Sequence, residues 1–320
     1  VTTADEIMYR ALEECPVGGL VYFSGNLIDA DQTREMLSQT QKYATDIEGI
    51  PLFLCVDEEG GKVARIGNNK GFDVPGVGPM GKVDSEEEAY EAGNKIGVYL
   101  SELGFNLDFA PDADVLTNQK NTVIGSRSFG RDAETVLRYA SAYTNGLHAN
   151  GILSTFKHFP GHGATEADTH EGFAYTDKTY EELQAAELVP FAGAEEAEVD
   201  FIMISHISVP NVTGDYTPSS LSYKMVTEVL RQDLGYDGII VTDAMNMGAI
   251  VGKYPSDAAA VAAIEAGVDM ILMPDDFDQA VEGVLSAVRS GTISEERIDA
   301  SVRRILRAKL RMESIFIPQV

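Results

Sequence analysis

The sequence predicts an α/β fold: a single (β/α)8 barrel of the TIM type filling residues 1–320, with its first strand missing or distorted. Two patterns point there. Short apolar, β-branched runs alternate with amphipathic helical stretches. Polar residues gather at the ends of those runs: Asp57, Asp112, Lys157 with His158, His206 and Asp243 each close a separate strand candidate. In a barrel such ends converge on one mouth, where barrel enzymes carry their chemistry, whereas an open sheet spreads them along a crevice. The clustering favours the barrel.

In chain order, "VTTADEIMYRALEECPV" (1–17) reads as helix and turn. The strand candidates follow: "GGLVYFS" (18–24), "PLFLCVD" (51–57), "FNLDFAPDAD" (105–114), "GILSTFKHF" (151–159), "DFIMISH" (200–206), "DGIIVTDA" (237–244) and "DMILMP" (269–274). Their near-continuous hydrophobicity suits parallel strands covered on both faces. Closure takes one strand more than these seven, and its place is before "GGLVYFS". The expectation is a chain that lacks this strand or fills its place with an irregular N-terminal segment. Between the strands, Ser85-Glu86-Glu87-Glu88 reads as a capping box ahead of a stripe at Ala89, Ala92, Ile96, Leu100 and Leu103. Asp132 opens a second helix that Asn150-Gly151 stops, and Thr179-x-x-Glu182 is another capping box. Residues 294–312 read as a terminal amphipathic helix with its basic residues late, where the helix dipole favours them.

Hydrophobic residues make up 44% of the chain and charged ones 23%, enough for a sizeable core. The net charge of −27 excludes a nucleic-acid partner, which needs a basic footprint, and suits a substrate that is not strongly anionic. No apolar run reaches the length of a membrane span, and no signal peptide opens the chain. Val1 is not an initiator methionine, which points to a segment removed upstream and leaves two compartments, the cytoplasm or the cell envelope and exterior. A monomer or weak homo-oligomer is expected. Cys55, inside "PLFLCVD", reads as a small core residue rather than a disulfide partner of Cys15.

Several segments carry residues fit for chemistry. Asp243 in "DGIIVTDAM" is either a structural acceptor where the strand ends or a carboxylate aimed into the mouth as nucleophile or base. Asp57 and Arg65 flank two glycines in "DEEGGKVAR", and Arg127 sits between glycines in "IGSRSFG". Each is a surface ion-pair member or part of a sugar-binding set, where carboxylates accept hydroxyl hydrogen bonds beside guanidinium donors. In "KHFPGHG", Pro160-Gly161 keeps His158 and His162 off one helix face, so the helical zinc spacing is absent. His158, His162, Asp168 and His170 are all ligand types, yet a metal site ranks below an acid/base role. Asp168 and His170 stand two apart in "DTH". In extended backbone both project to one side, so the carboxylate can orient the imidazole as a proton shuttle.

Taken in order, "DEEGGKVAR", "IGSRSFG", "KHFPGHG" with "DTH", and "VTDAMNM" resemble family 3 glycoside hydrolases, specifically the β-N-acetylglucosaminidase branch. The resemblance covers nearly the whole chain, and "KHFPGHG" followed by "DTH" is the branch signature. It implies Asp243 as a nucleophile forming a covalent glycosyl-enzyme, with His170 as general acid/base oriented by Asp168. It also implies that Asp57, Arg65, Arg127, Lys157 and His158 hold the terminal sugar, with His206 at the pocket wall. Lys62 stands where arginine is frequent in the family. The implied activity is release of terminal N-acetylglucosamine from muropeptides or chitooligosaccharides, with no cofactor and no metal. An imidazole acid does not repel an anionic acceptor as a carboxylate does, so phosphorolysis on the same site is the alternative. A metal-dependent hydrolase ranks below both.

Overall fold

The computed structural model describes residues 1–165 and 172–316. Its strands are β1 (Gly19–Tyr22), β2 (Phe53–Val56), β3 (Glu58–Gly60), β4 (Val63–Ala64), β5 (Leu107–Asp108), β6 (Thr155–Phe159), β7 (Phe201–Ile204) and β8 (Ile239–Thr242). β1, β2 and β5 form one parallel ladder, and β6, β7 and β8 another. Parallel bridges from Leu107 to Leu153 and from Asp112 to Lys157 set the β5 segment beside the β6 segment. A further parallel bridge places Met270 beside Val241 of β8. These contacts string the seven apolar runs into parallel neighbours in chain order. Among the described residues no ladder joins the Met270 segment to β1, so the eight-stranded closure expected from the sequence is not seen. The N-terminal stretch is helix α1 (Glu6–Glu14), capped by Asp5, and contributes no strand.

Alternation along each strand explains the continuous hydrophobicity. Phe53 and Cys55, Phe201 and Met203, and Ile239 and Val241 pack into one inner cluster with Leu107, Phe109 and Leu153. Val21, Met270 and Leu272 pack against the same cluster, so all seven segments reach it. Leu54, Val56, Ile202, Ile204 and Ile240 point the other way, into the layer shared with the helices. Helices α2 (Ala30–Glu48), α3 (Glu86–Leu103) and α4 (Ala133–His148) supply much of that layer. The α3 cap differs in detail from the sequence pattern. Ser85 accepts from the Glu88 backbone, but the Glu88 carboxylate turns to the Asp84 backbone instead of closing the box on Ser85. Thr179 and Glu182 do close theirs.

The antiparallel pair β3–β4 falls inside "DEEGGKVAR", where the sequence shows only a glycine-rich turn. Gly60 and Gly61 have φ of 89° and 57°, left-handed values that a side chain resists. The terminal helix, Glu295–Phe316, lays Ala308 and Met312 on the inner cluster. Its basic residues do more than oppose the dipole. Arg304 and Arg307 bind Asp237 at 3.0 Å each, and Arg311 pairs with Asp200. Those aspartates precede β8 and β7, so the helix is stapled across the N-terminal ends of the strands.

Helices α3 and α4 cross closely because glycine faces backbone. A Cβ on Gly93 would lie 2.1 Å from the Tyr143 carbonyl oxygen, and one on Gly146 2.3 Å from that of Tyr90. Alanine raises helix propensity by about 1 kcal/mol, but neither carbonyl can yield without shifting a helix. Gly93→Ala should therefore destabilise the protein, by about 1–3 kcal/mol in urea or guanidinium unfolding. A rise in the unfolding midpoint would show that the crossing is looser than these distances indicate.

Candidate active site

The polar residues at the strand ends meet in one buried cluster. Asp57 directly follows β2, and the next residue turns into the β3–β4 hairpin. Glu58 is wholly buried and holds that hairpin. It accepts from Ile66 N at 2.8 Å, Gly67 N at 2.7 Å and the Tyr99 hydroxyl at 2.7 Å. Burial raises its pKa against the pull of these donors. The alternation of the hairpin sends Glu59 towards Lys157 and Arg127 instead.

Lys157, on β6, is 2% exposed, and its Nζ lies 2.6 Å from Glu59 Oε1 and 2.9 Å from Asp57 Oδ1. Arg127 ends a short 3-10 turn in the loop after β5 and grips Glu59 with two parallel hydrogen bonds, of 2.8 and 2.7 Å. Burial alone would raise the Glu59 pKa, but Arg127 and Lys157 overcome it and hold the carboxyl far below its ordinary value. Burial likewise opposes the charge on Lys157, and Asp57 and Glu59 outweigh it, leaving its pKa raised. Arg65 completes the row with a 3.3 Å contact to Asp57 Oδ2.

His158 follows Lys157 in β6, and its Nδ1 lies 2.7 Å from Asp114 Oδ2. Its Nε2 lies 3.2 Å from Arg127 Nη2. A guanidinium only donates, so Nε2 accepts and Nδ1 carries the proton given to Asp114. Asp114 also accepts from the backbone of both His158 and His162. Burial opposes the charge on Asp114, yet His158, His162 and these bonds together lower its pKa. Asp112 is the converse case. Its Oδ2 is 3.4 Å from Arg127 Nε, without hydrogen-bond geometry, and burial with the nearby Asp114 raises its pKa to about 7.

Asp243 follows β8 and is half-buried, and its Oδ1 accepts from the Ala244 backbone at 2.8 Å. His206, just past β7, bonds the Ala244 carbonyl through Nε2 at 3.0 Å and Ser220 Oγ through Nδ1 at 2.8 Å. It therefore braces the turn that carries Asp243. His162 packs edge-on against His158 with ring centroids 5.9 Å apart. Burial and His158 lower its pKa against the pull of Asp114 and Asp243, which puts Asp243 within electrostatic reach of the cluster.

Asp57, Arg65, Arg127, Lys157 and His158 are thus brought together, with His206 and Asp243 on the neighbouring strand ends. Asp168 and His170 lie outside the described residues. Sequence reasoning missed Glu59, the hub, and Asp114, the orienter of His158. "DEEGG" does hint at Glu59, because alternation in a hairpin turns adjacent carboxylates to different surroundings. Asp112, Asp114 and His158 could together ligate a metal by distance, all within 4.8 Å. Arg127 lies against Asp112 Oδ2 and His158 Nε2.

Asp112 yields a pH prediction. The folded chain keeps a proton on it from the ordinary value of 3.8 up to about 7, whereas the unfolded chain releases that proton near the ordinary value. The folded state binds more protons across this window, so Asp112 lowers stability as pH rises through it. Asp112→Asn imitates the protonated form and should flatten the loss of stability between pH 4 and 7 in denaturant titrations. An unchanged pH slope would place the proton elsewhere.

The chain matches the model of the glycosyl hydrolase family 3 N-terminal domain over residues 3–308. It is 31% identical to beta-hexosaminidase A of Pseudoalteromonas piscicida over 98% of this chain and 56% of that protein. Identity is also 31% to the beta-hexosaminidase of Idiomarina loihiensis, over 95% of this chain and 88% of that one. Among solved structures, a family 3 beta-N-acetylglucosaminidase from a Paenibacillus species superposes with a TM-score of 0.94 at 38% identity. It is matched by all of this chain and by 61% of its own length. The chain thus spans little more than half of two of these relatives and most of the third. On this match, across nearly all of its residues, the chain belongs to glycosyl hydrolase family 3.

Proposed function

We propose that the chain forms one catalytic domain, a (β/α)8-type barrel, and acts as a retaining exo-β-N-acetylglucosaminidase. The observation that carries this reading is the joining of Asp57, Lys157, Glu59, Arg127 and His158 into one hydrogen-bonded row whose electrostatic reach extends to Asp243. The names of the relatives agree with it. The substrate is a terminal N-acetylglucosamine on a chitooligosaccharide or muropeptide. Asp57, Arg65, Arg127, Lys157 and His158 hold its hydroxyl and acetamido groups, each already oriented by a partner. His206 keeps the Asp243 turn in place through the Ala244 carbonyl.

In the first step an Asp243 oxygen attacks C1 of the sugar while the bond from C1 to the aglycone oxygen breaks. That oxygen takes a proton from His170, which Asp168 orients. In the second step water gives a proton to His170 and attacks C1, releasing the sugar and restoring the Asp243 carboxylate. Two inversions retain the configuration. His162 lies within electrostatic reach of Asp243, and burial lowers its pKa, which disfavours the protonated form that a donor needs. That supports giving the acid role to His170.

Asp243 should be the residue that carries the covalent sugar. A 5-fluoro N-acetylglucosaminide should label the peptide containing Asp243 in mass spectrometry. Labelling elsewhere, together with normal turnover by Asp243→Asn, would remove it from the nucleophile role. For the acid, a positioned proton donor contributes roughly 10²–10⁴-fold in rate. His170→Ala should lose about that much on substrates with poor leaving groups and little on aryl glycosides whose leaving group needs no proton. Asp168→Ala should show the same pattern more mildly. Equal losses on both substrate types would refute proton donation by His170.

A further inference from the structure

Three exposed aromatic rings stand together beyond the polar cluster. Phe173 and Tyr175 stack with centroids 5.5 Å apart, and Tyr216 meets them edge-on at 5.6 and 5.7 Å. They remain 39%, 45% and 54% exposed, although each packs on the other two. A contiguous aromatic surface left to water marks a binding site more often than a solvated face.

The backbone beneath the rings is held in place. Ala174 and Thr176 alternate with the two rings and are buried, and both bond the Ser208 backbone, at 3.0 and 3.1 Å. Ser208 Oγ in turn donates to the Tyr216 carbonyl at 2.8 Å. Lys253 places its Nζ 4.3 Å from the centroid of the Phe173 ring. Phe173 and Tyr175 come from the chain after β6, Tyr216 from the chain after β7, and Lys253 from the chain after β8. These are the strands whose ends carry Lys157, His206 and Asp243, so the rings and the polar cluster share one end of the sheet.

We propose that Phe173, Tyr175 and Tyr216 form the subsite for the leaving-group sugar, an N-acetylglucosamine residue of a chitooligosaccharide. This rests on the glycosidase reading above. The two parts of the site divide the work by chemistry. Charged groups oriented by ion pairs hold the sugar that is cleaved off, and aromatic faces take the C–H face of the next pyranose while tyrosine hydroxyls reach its polar edge. A muramic-acid aglycone brings a carboxylate, which the net charge of −27 opposes. A neutral aglycone meets no such field.

The test compares two substrates of the full chain: N,N′-diacetylchitobiose and β-N-acetylglucosaminyl fluoride, whose leaving group has no ring. Phe173→Ala, Tyr175→Ala and Tyr216→Ala replace exposed side chains and leave the polar cluster intact. Each should raise KM for chitobiose by about tenfold, the loss of one well-packed ring, and leave kinetics on the fluoride unchanged. Equal effects on both substrates, or none on chitobiose, would overturn the subsite while the glycosidase reading stands. A stronger effect on an N-acetylglucosaminyl-muramic acid disaccharide than on chitobiose would overturn the neutral aglycone. Wild-type protein inert on every one of these substrates would overturn the glycosidase reading, and the subsite with it.

Discussion

The site depends on one buried carboxylate. Glu59 is 1% exposed and binds two cations at once, Arg127 through a bidentate pair and Lys157 through a 2.6 Å contact. Two cations buried side by side repel, and each loses its hydration. The anion between them makes both tolerable. Removing one partner of such a buried set typically costs about 3–5 kcal/mol, because the charge left behind has no water to turn to. The same geometry serves function. Side chains as long as lysine and arginine would otherwise sample many rotamers, and here they are fixed before any ligand arrives.

Charge is arranged differently at the two ends of the strands. At the N-terminal ends, Asp200, Asp237 and Asp269 meet the arginines of the terminal helix, while Arg231 binds Asp269 as well. Those pairs satisfy one another and tie the last helix to the sheet. At the C-terminal ends the acids and bases converge from separate loops onto a shared interior, with Asp243 half-buried beside them. Barrel-like folds commonly separate stability and chemistry in this manner. In this chain, the C-terminal ends of β5 and β7 are followed by long loops, which bear Arg127 and Tyr216.

Much of this was legible before any coordinates. Apolar runs fall where the parallel segments lie because both faces of each strand are covered, and helix caps such as Asp132 and Thr179 announce themselves locally. Asp57, Lys157, His158 and His206 stand out because each ends a strand, and Arg65 and Arg127 because glycines lie near them, while their role as sugar-binding candidates comes from the family resemblance. Glu59 is no more than hinted at and Asp114 is hidden, because their importance is a matter of partners 44 to 98 positions away in the chain. Glu59 beside Glu58 looks like surface acidity, and only the pairing of β3 with β4 separates the hairpin staple from the ionic hub. The aromatic platform was hidden for the same reason. Phe173 and Tyr175 belong to one loop and Tyr216 to another, and Ser208 joins the two through hydrogen bonds that no periodicity records.

The protonation of the cluster follows from the same burial. Asp57, Glu59, Asp112 and Asp114 face the cations Lys157, Arg127 and Arg65, with His158 set between Asp114 and Arg127. Four carboxylates against three cations would leave one negative charge in a dry interior. Burial and Asp114 ease this by raising the Asp112 pKa to about 7, so that Asp112 carries less than a full charge near neutrality. Asp243 stands outside this row, half-buried at the end of the neighbouring strand.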